Sequence, residues 1–371
     1  MGEHVERVQT FAVDYPADPR FKFFERQPGA GVASRPTTVV KLTASDGTIG
    51  WGQCVPSRRW SYETPESVRS TIDTYLAPEL IGIDPQDIRE AHRRLNLAIA
   101  PSFSTGQPIA KAGIDIALHD LAAKLDRRSV IGRWGRIAST AVPLSWTINL
   151  PSIDSASAEV ERALAAGYRS FNIKVAPNIA FDLELCRAIR QLAPDAFLWI
   201  DANGGYDPAT ALEVAPRFAD LGVKAFEQPV AANQLRAFKA LVRQGALPIL
   251  MDEAIVSRRD LEEFLALGLL NGVTMKVARC GGLHEAVAMM RLIEDAGLMW
   301  LGSGLTDPDI SLAATLALFA AFGLTTPAAL NAPQYLTTSI LAAPISVVAG
   351  KCVVPQGLGL GVEVEQSKLL P

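Results

Sequence analysis

The chain has 371 residues, 49% of them apolar and 20% charged, which is too long for one small core and too rich in core-forming residues for overall disorder. A net charge of −4, with no run of five like charges and no Lys/Arg stripe threaded by aromatics, argues against nucleic acid or an anionic membrane as partner. The length fits either one large α/β unit with a smaller companion or two mid-sized domains.

The N-terminal segment Met1-Gly2-Glu3-His4-Val5-Glu6-Arg7 mixes acids and bases and runs into an alternating strand pattern, unlike the apolar core of a signal peptide. The longest apolar stretch, Leu312 to Leu324, falls well short of the roughly 20 residues that a bilayer helix needs. Cys54, Cys186, Cys280 and Cys352 lack any short paired spacing, so free thiols and a cytoplasmic location are expected.

From residue 140 the sequence repeats one unit: a short β-prone apolar run, a polar residue, a loop and an amphipathic helix. The runs are Val142–Asn149, Ser170–Lys174, Ala196–Asp201, Val223–Glu227, Leu247–Asp252, Gly272–Lys276 and Leu298–Gly302. The intervening helices stop near Gly167, Gly222, Gly268 and Gly297, each suited to a left-handed helix end. Continuous apolar strands alternating with helices predict a parallel sheet covered on both faces, and six or seven units in series predict closure into a barrel.

The polar residues ending five successive runs are Lys174, Asp201, Glu227, Asp252 and Lys276, one per strand–helix unit. In a (β/α) barrel such residues converge at the C-terminal mouth, where chemistry is placed. Three carboxylates in one cavity repel unless they are protonated or neutralised by a cation, so Asp201, Glu227 and Asp252 are read as metal ligands. An all-oxygen set favours Mg²⁺, with Mn²⁺ as the alternative, over zinc. None of the histidines His4, His92, His119 and His284 ends a barrel strand, and helix-surface or core roles are expected for them.

These motifs resemble a known family. Asn172-Ile173-Lys174, Asp201-Ala202-Asn203, Glu227-Gln228-Pro229, Asp252-Glu253 and Met275-Lys276 followed by Gly281-Gly282 are similar to the enolase superfamily, within it the muconate-lactonizing-enzyme subgroup. Upstream, Asp46-Gly47 through Gln53 and Ala110-Lys111 through Leu121 resemble its N-terminal cap, and Pro355 through Gly361 resembles its tail. The resemblance implies a modified (β/α)7β TIM barrel with an N-terminal α+β capping domain. Residues 1–134 would form the cap, 135–334 the barrel and 335–371 a segment returning to the cap. It also implies that a metal anchors a small carboxylate substrate while cap loops around Pro19–Gly31 and Val55–Tyr62 choose it. Phe21, Phe24, Arg59, Trp60 and Tyr62 are the specificity candidates on those loops, with ordinary cap packing as their alternative role.

A hydrogen α to a carboxylate is barely acidic, because its loss yields a dianionic enediolate; a divalent ion on the carboxylate offsets that charge. The base must then be a neutral lysine, well below the ordinary pKa of roughly 10.4. Lys174 and Lys276, on the second and sixth strands, would address opposite faces of one α-carbon, as 1,1-proton transfer requires. Racemisation or epimerisation is therefore the leading expectation. Muconate-type cycloisomerisation and dehydration of a hydroxylated acid such as a hydroxyproline use the same parts, and a non-catalytic carboxylate-binding barrel is the remote alternative. Gly302-Ser303-Gly304 lacks the third glycine of a dinucleotide fingerprint.

Asn172 stands where relatives often carry the first Lys of Lys-x-Lys, and Asp307 where they place a Glu on the seventh strand. Asn203, Glu253 and Asn172 are expected around the metal or substrate. Asp307 or Asp309 could hold a cationic nitrogen, with helix capping as the other role for Asp309. The segment Ala329-Leu330-Asn331 lacks the Asp-x-Asp of dipeptide epimerases. Relatives are often oligomers, which leaves a homo-oligomer open for this chain.

Overall fold

A computed structural model describes residues 2–18, 25–26, 33–102 and 105–369. The ladder folds into eight parallel strands, each paired with the next in sequence. They are β1 (Trp146–Ile148), β2 (Ser170–Lys174), β3 (Phe197–Asp201), β4 (Phe226–Glu227), β5 (Ile249–Met251), β6 (Gly272–Met275), β7 (Met299–Ser303) and β8 (Ala328–Ala329). A parallel bridge between Leu144 and Ala328, with Ser145 N donating to Ala328 O at 2.9 Å, brings the last strand back to the first and closes the barrel.

Alternation along each strand sorts the side chains. Phe171, Ile173, Leu198, Ile200 and Phe226 pack outward under the helices. The opposite parity fills the barrel floor with Trp199, Ala225, Leu250, Leu301 and Ala329. Lys174, Asp201, Glu227, Asp252 and Lys276 share that inward parity one step further along, so the register that buries the floor also gathers the charged groups at the mouth. Gly167, Gly222, Gly268 and Gly297 all have positive φ at the ends of their helices, as expected from the sequence.

One predicted element divides. Val142–Asn149 reads as a single strand, but Ala141–Pro143 pairs antiparallel with Lys351–Val353 of the tail, and only Trp146–Ile148 joins the barrel. The chain changes partner in between: Leu144 N donates to Gly350 O while Ser145 N donates to Ala328 O.

The cap is an antiparallel sheet of Val5–Pro16, Ala33–Ala44 and Ile49–Cys54, with the short Glu25–Arg26 strand on its edge. The helix Pro108–Leu125 lies against it so closely that a Cβ at Gly52 would meet Gly113 O at 1.8 Å, which explains why glycine stands at that crossing. This helix and Asp309–Ala321 are buried on nearly every side because both are enclosed between cap and barrel. The long apolar run of the sequence is therefore a buried core helix. No described helix is long and apolar enough to cross a membrane.

Tail residues reach the cap: Leu360 N donates to Asp120 Oδ1 at 2.8 Å, and Lys41 Nζ donates to Gln366 Oε1 at 2.8 Å. All four cysteines are buried free thiols.

Candidate active site

The ends of β3, β4 and β5 bring Asp201, Glu227 and Asp252 together, with one carboxylate oxygen from each within 4.8 Å of the others and all three residues buried. Each acid has a different support. Asp201 accepts from Asn203 N at 2.8 Å and Asn203 Nδ2 at 2.9 Å, a turn for which Asn203 adopts a φ of 47°. Glu227 accepts from the Trp199 indole Nε1 at 2.9 Å. Asp252 is aimed from the backbone: buried Gln228 accepts from Asp252 N at 3.0 Å and from Ala254 N at 3.2 Å, tying the loop after β4 to the loop after β5.

Two lysines reach this cluster from opposite sides of the barrel. Lys174 Nζ donates to Asp201 Oδ2, and Lys276 Nζ donates to Asp252 Oδ2 at 2.6 Å. Arg279, on the loop after β6, also pairs with Asp252 and donates to Thr274 O at 2.9 Å. Burial, reinforced by the charge of Asp201, pushes Glu227 up to about 7. Burial and Asp201 likewise push Glu253 up to about 7. A buried set of oxygen donors whose charge the fold resists, neutralised in part by side-chain cations that can swing away, fits a hard divalent ion.

Above the cluster lies a cavity of about 380 Å³. Lys174, Asn203, Asp252, Glu253, Lys276 and Arg279 form its barrel side, and Trp60, Tyr62, Pro36 and Ile109 are among the residues on its cap side. Of the residues singled out from sequence, Asn203, Glu253, Trp60 and Tyr62 therefore border the cavity. Arg59 is exposed on the same loop and does not line it. Phe21 and Phe24 lie outside the described residues.

Asn172 points into the barrel and is fully buried beneath the cavity, and its amide finds no hydrogen-bond partner among the described residues. Two expectations need correction. Asp307 is buried behind Gly304, where a glycine Cβ would meet its Oδ2 at 2.4 Å, and it does not line the cavity. Asp309 neither holds a substrate nitrogen nor caps its own helix. Its oxygens accept from Tyr15 at 2.9 Å, Ser339 at 2.7 Å and Ile340 N at 2.8 Å, fastening cap strand and tail to the helix after β7.

Other residues near the site carry no motif that sequence reasoning could use. Arg35 donates to Val55 O at 2.7 Å, Leu305 O at 3.0 Å and Pro56 O, fixing the 55–62 loop over the barrel. Glu63 accepts from Ile109 N at 2.8 Å and Ala110 N at 2.9 Å, and burial pushes it up to about 7. The histidines gather around Asp115: its Oδ1 lies 2.6 Å from His92 Nε2 and 3.7 Å from His119 Nε2, while His92 stacks on His284 with centroids 4.5 Å apart.

Residues 155–368 match the enolase C-terminal domain-like family, and residues 29–132 match the mandelate racemase / muconate lactonizing enzyme N-terminal domain. A chloromuconate cycloisomerase of Cupriavidus necator is 31% identical over 340 residues, covering 89% of this chain and 90% of that protein. An N-succinylamino acid racemase of Thermus thermophilus is 29% identical over 350 residues, covering 92% and 91%. The crystal structure of muconate lactonizing enzyme from Pseudomonas fluorescens complexed with muconolactone superposes with a TM-score of 0.90 at 26% identity, covering 99% of this chain and 98% of that one. Matches at both ends of the chain, on the same barrel and cap, establish that it belongs to the enolase superfamily, in the mandelate racemase / muconate lactonizing enzyme group.

Proposed function

We propose that the protein is an isomerase that moves the α-proton of a small carboxylate, most directly a racemase or epimerase working with Mg²⁺. The observation that carries this reading is the opposition of Lys174 and Lys276, which enter one cavity from β2 and β6 on opposite sides of the barrel. Asp201, Glu227 and Asp252 would hold the ion, which when bound offsets negative charge developing on the substrate carboxylate.

The lysines perform the transfer. One takes the proton from Cα as its free amine, the electron pair of the C–H bond passing into the carboxylate. The other, as the ammonium, returns a proton to the opposite face, and the configuration inverts. Trp60 and Tyr62 cover the site on the cap side and limit its water. A cap of residues 1–134, a barrel of 135–334 and a tail of 335–371 returning to the cap belong to the same proposal, supported by the tail's bonds to Asp120 and Lys41.

A cycloisomerase reading draws on the chloromuconate relatives, and the lysines and carboxylates of this chain would then serve ring formation. NMR in deuterated water separates the two. Deuterium at Cα with inversion supports the racemase, and conversion of a muconate to a lactone without inversion of any amino acid derivative overturns it.

A further inference from the structure

Lys174 ends β2, and beyond it Val175 N donates the last bond to the neighbouring strand, to Asp201 O at 3.0 Å. The chain then turns at Ala176, whose φ of 71° is a left-handed conformation unfavourable for any residue with a Cβ. The turn is held from outside. Ala176 N donates to Asp182 Oδ2 at 2.9 Å, in the first turn of the helix Ile179–Leu192, and Tyr206 Oη donates to the same oxygen at 2.6 Å. Asp182 is 3% exposed.

Tyr206 is a fixed post. It lies on the loop after β3, where Asn203 supports Asp201, and that loop is bonded to the one after β4. Gly204 N donates to Gln228 O at 2.8 Å and Tyr206 N to Pro229 O at 3.3 Å, while the Tyr206 ring meets Phe226 edge-on with centroids 6.1 Å apart. Gly205 backs the turn as well, since a Cβ there would come within 2.9 Å of Ala176 Cβ. The hydroxyl sets the buried carboxylate, and the carboxylate sets the backbone beside the lysine. Lys276 is supported elsewhere: the loop that follows it is anchored on Asp115 through Gly282, Leu283 N and His284 N.

We infer that Tyr206 and Asp182 are positioning residues for one lysine of the pair: together they fix the turn at Ala176, and with it the path by which Lys174 enters the cavity. The inference rests on the two-lysine reading above and adds an asymmetry to it. Each enantiomer of a substrate presents its α-proton to one lysine. A base displaced by about an ångström loses much of its rate, so loosening this turn slows removal of the proton that faces Lys174 and spares the proton that faces Lys276. Loss of folding, or of Mg²⁺, would slow both alike.

The test is Cα deuterium exchange by the Mg²⁺-supplemented full-length protein, run on the separate enantiomers of N-acetylmethionine and of mandelate as probes. Lys174→Ala identifies the enantiomer that faces Lys174. Tyr206→Phe, which keeps the ring, should lower kcat for that enantiomer about tenfold, with its KM, the exchange of the other enantiomer and the stabilisation by Mg²⁺ changed less than about twofold. Asp182→Asn should act in the same direction and more strongly. Ala176→Gly added to Asp182→Asn should recover part of the loss, because glycine takes the left-handed turn without help from a carboxylate. Equal losses on both enantiomers, no loss in either variant, or no recovery with glycine overturns the assignment and leaves proton abstraction standing. Absence of wild-type exchange with both probes and with every other chiral carboxylate offered overturns both.

Discussion

One buried acid at the cap–barrel junction and a buried trio at the barrel mouth are satisfied in different ways. At the cap–barrel junction, Asp115 is fully buried and takes Leu283 N, His284 N at 3.3 Å and His92 Nε2 at 2.6 Å. Burial pushes His119 beside it down to about 4, so that imidazole is neutral at pH 7. At the barrel mouth, the charges of Asp201 and Asp252 are met by Lys174, Lys276 and Arg279, all on long flexible stems; Asp201 also accepts from Asn203, and Glu227 has one indole donor. A carboxylate held by fixed backbone dipoles is a joint: its partners cannot leave without unfolding something. Carboxylates held by swinging cations form a site, because an incoming ion can displace those partners at little structural cost.

The comparison is broken most decisively at the lysines. Lys174→Ala and Lys276→Ala should each lower racemisation, and Cα exchange of the enantiomer whose proton faces the missing lysine, by about 100- to 10,000-fold, measured by NMR in deuterated water, with thermal stability little changed. Near-normal racemisation in either variant would exclude that lysine from the transfer.

Asp115→Ala should show the reverse pattern. Leaving two helix N–H groups and His92 unpaired in the interior should cost about 3–5 kcal/mol, read from denaturant unfolding, while folded molecules at low temperature keep most of their exchange activity. If activity fell as far as in the lysine variants, Asp115 would have to be counted with the site.

Metal supply sharpens the contrast. Mg²⁺ at one hundred times its dissociation constant should stabilise the wild type by about 2.7 kcal/mol, and chelation should remove both that increment and the exchange. Asp252→Asn should lose the increment whereas Asp115→Ala keeps it; an undiminished increment in Asp252→Asn would remove Asp252 from the ligand set.

The smallest effect is expected at Glu63, a joint that borders the cavity. Its folded pKa of about 7 lies above the ordinary 4.5, so its contribution to stability is complete below 4.5 and is lost as the pH rises through 7. Glu63→Gln should flatten the stability profile between about 4.5 and 7 and change exchange no more than a few-fold. An unaltered profile in that window would mean that Glu63 does not titrate there.

How far these clusters could be read from sequence follows from their geometry. Lys174, Asp201, Glu227, Asp252 and Lys276 were legible because a closed barrel turns even spacing along the chain into convergence in space. Asp115 is equally buried, yet its partners lie far along the chain on the helix Leu283–Asp295, and no local pattern announces such a meeting. Asp309 sits two residues from Asp307 beside the mouth and looks like a site residue, but its φ of 41° and its bonds to Tyr15 and Ser339 turn it away from the cavity. Asn331 shows only as the lack of an expected acid, and its bond to Thr147 exists only in the closed barrel. The split of Val142–Asn149 was hidden for a related reason, since a strand's propensity does not say that it changes partner midway.

Gly282, where a Cβ would come within 2.3 Å of Asp115 Oδ2, joins the cap's central helix to the loop that follows Lys276 and Arg279. Cap and barrel are therefore not interchangeable modules. Replacing the whole cap would change the anchor of that loop and displace Lys276 along with the cavity wall. Changes of substrate can be made more safely through the 55–62 loop or the end of β8, which border the cavity without bearing on that anchor. In this architecture new specificity is most accessible through point changes at the cavity wall.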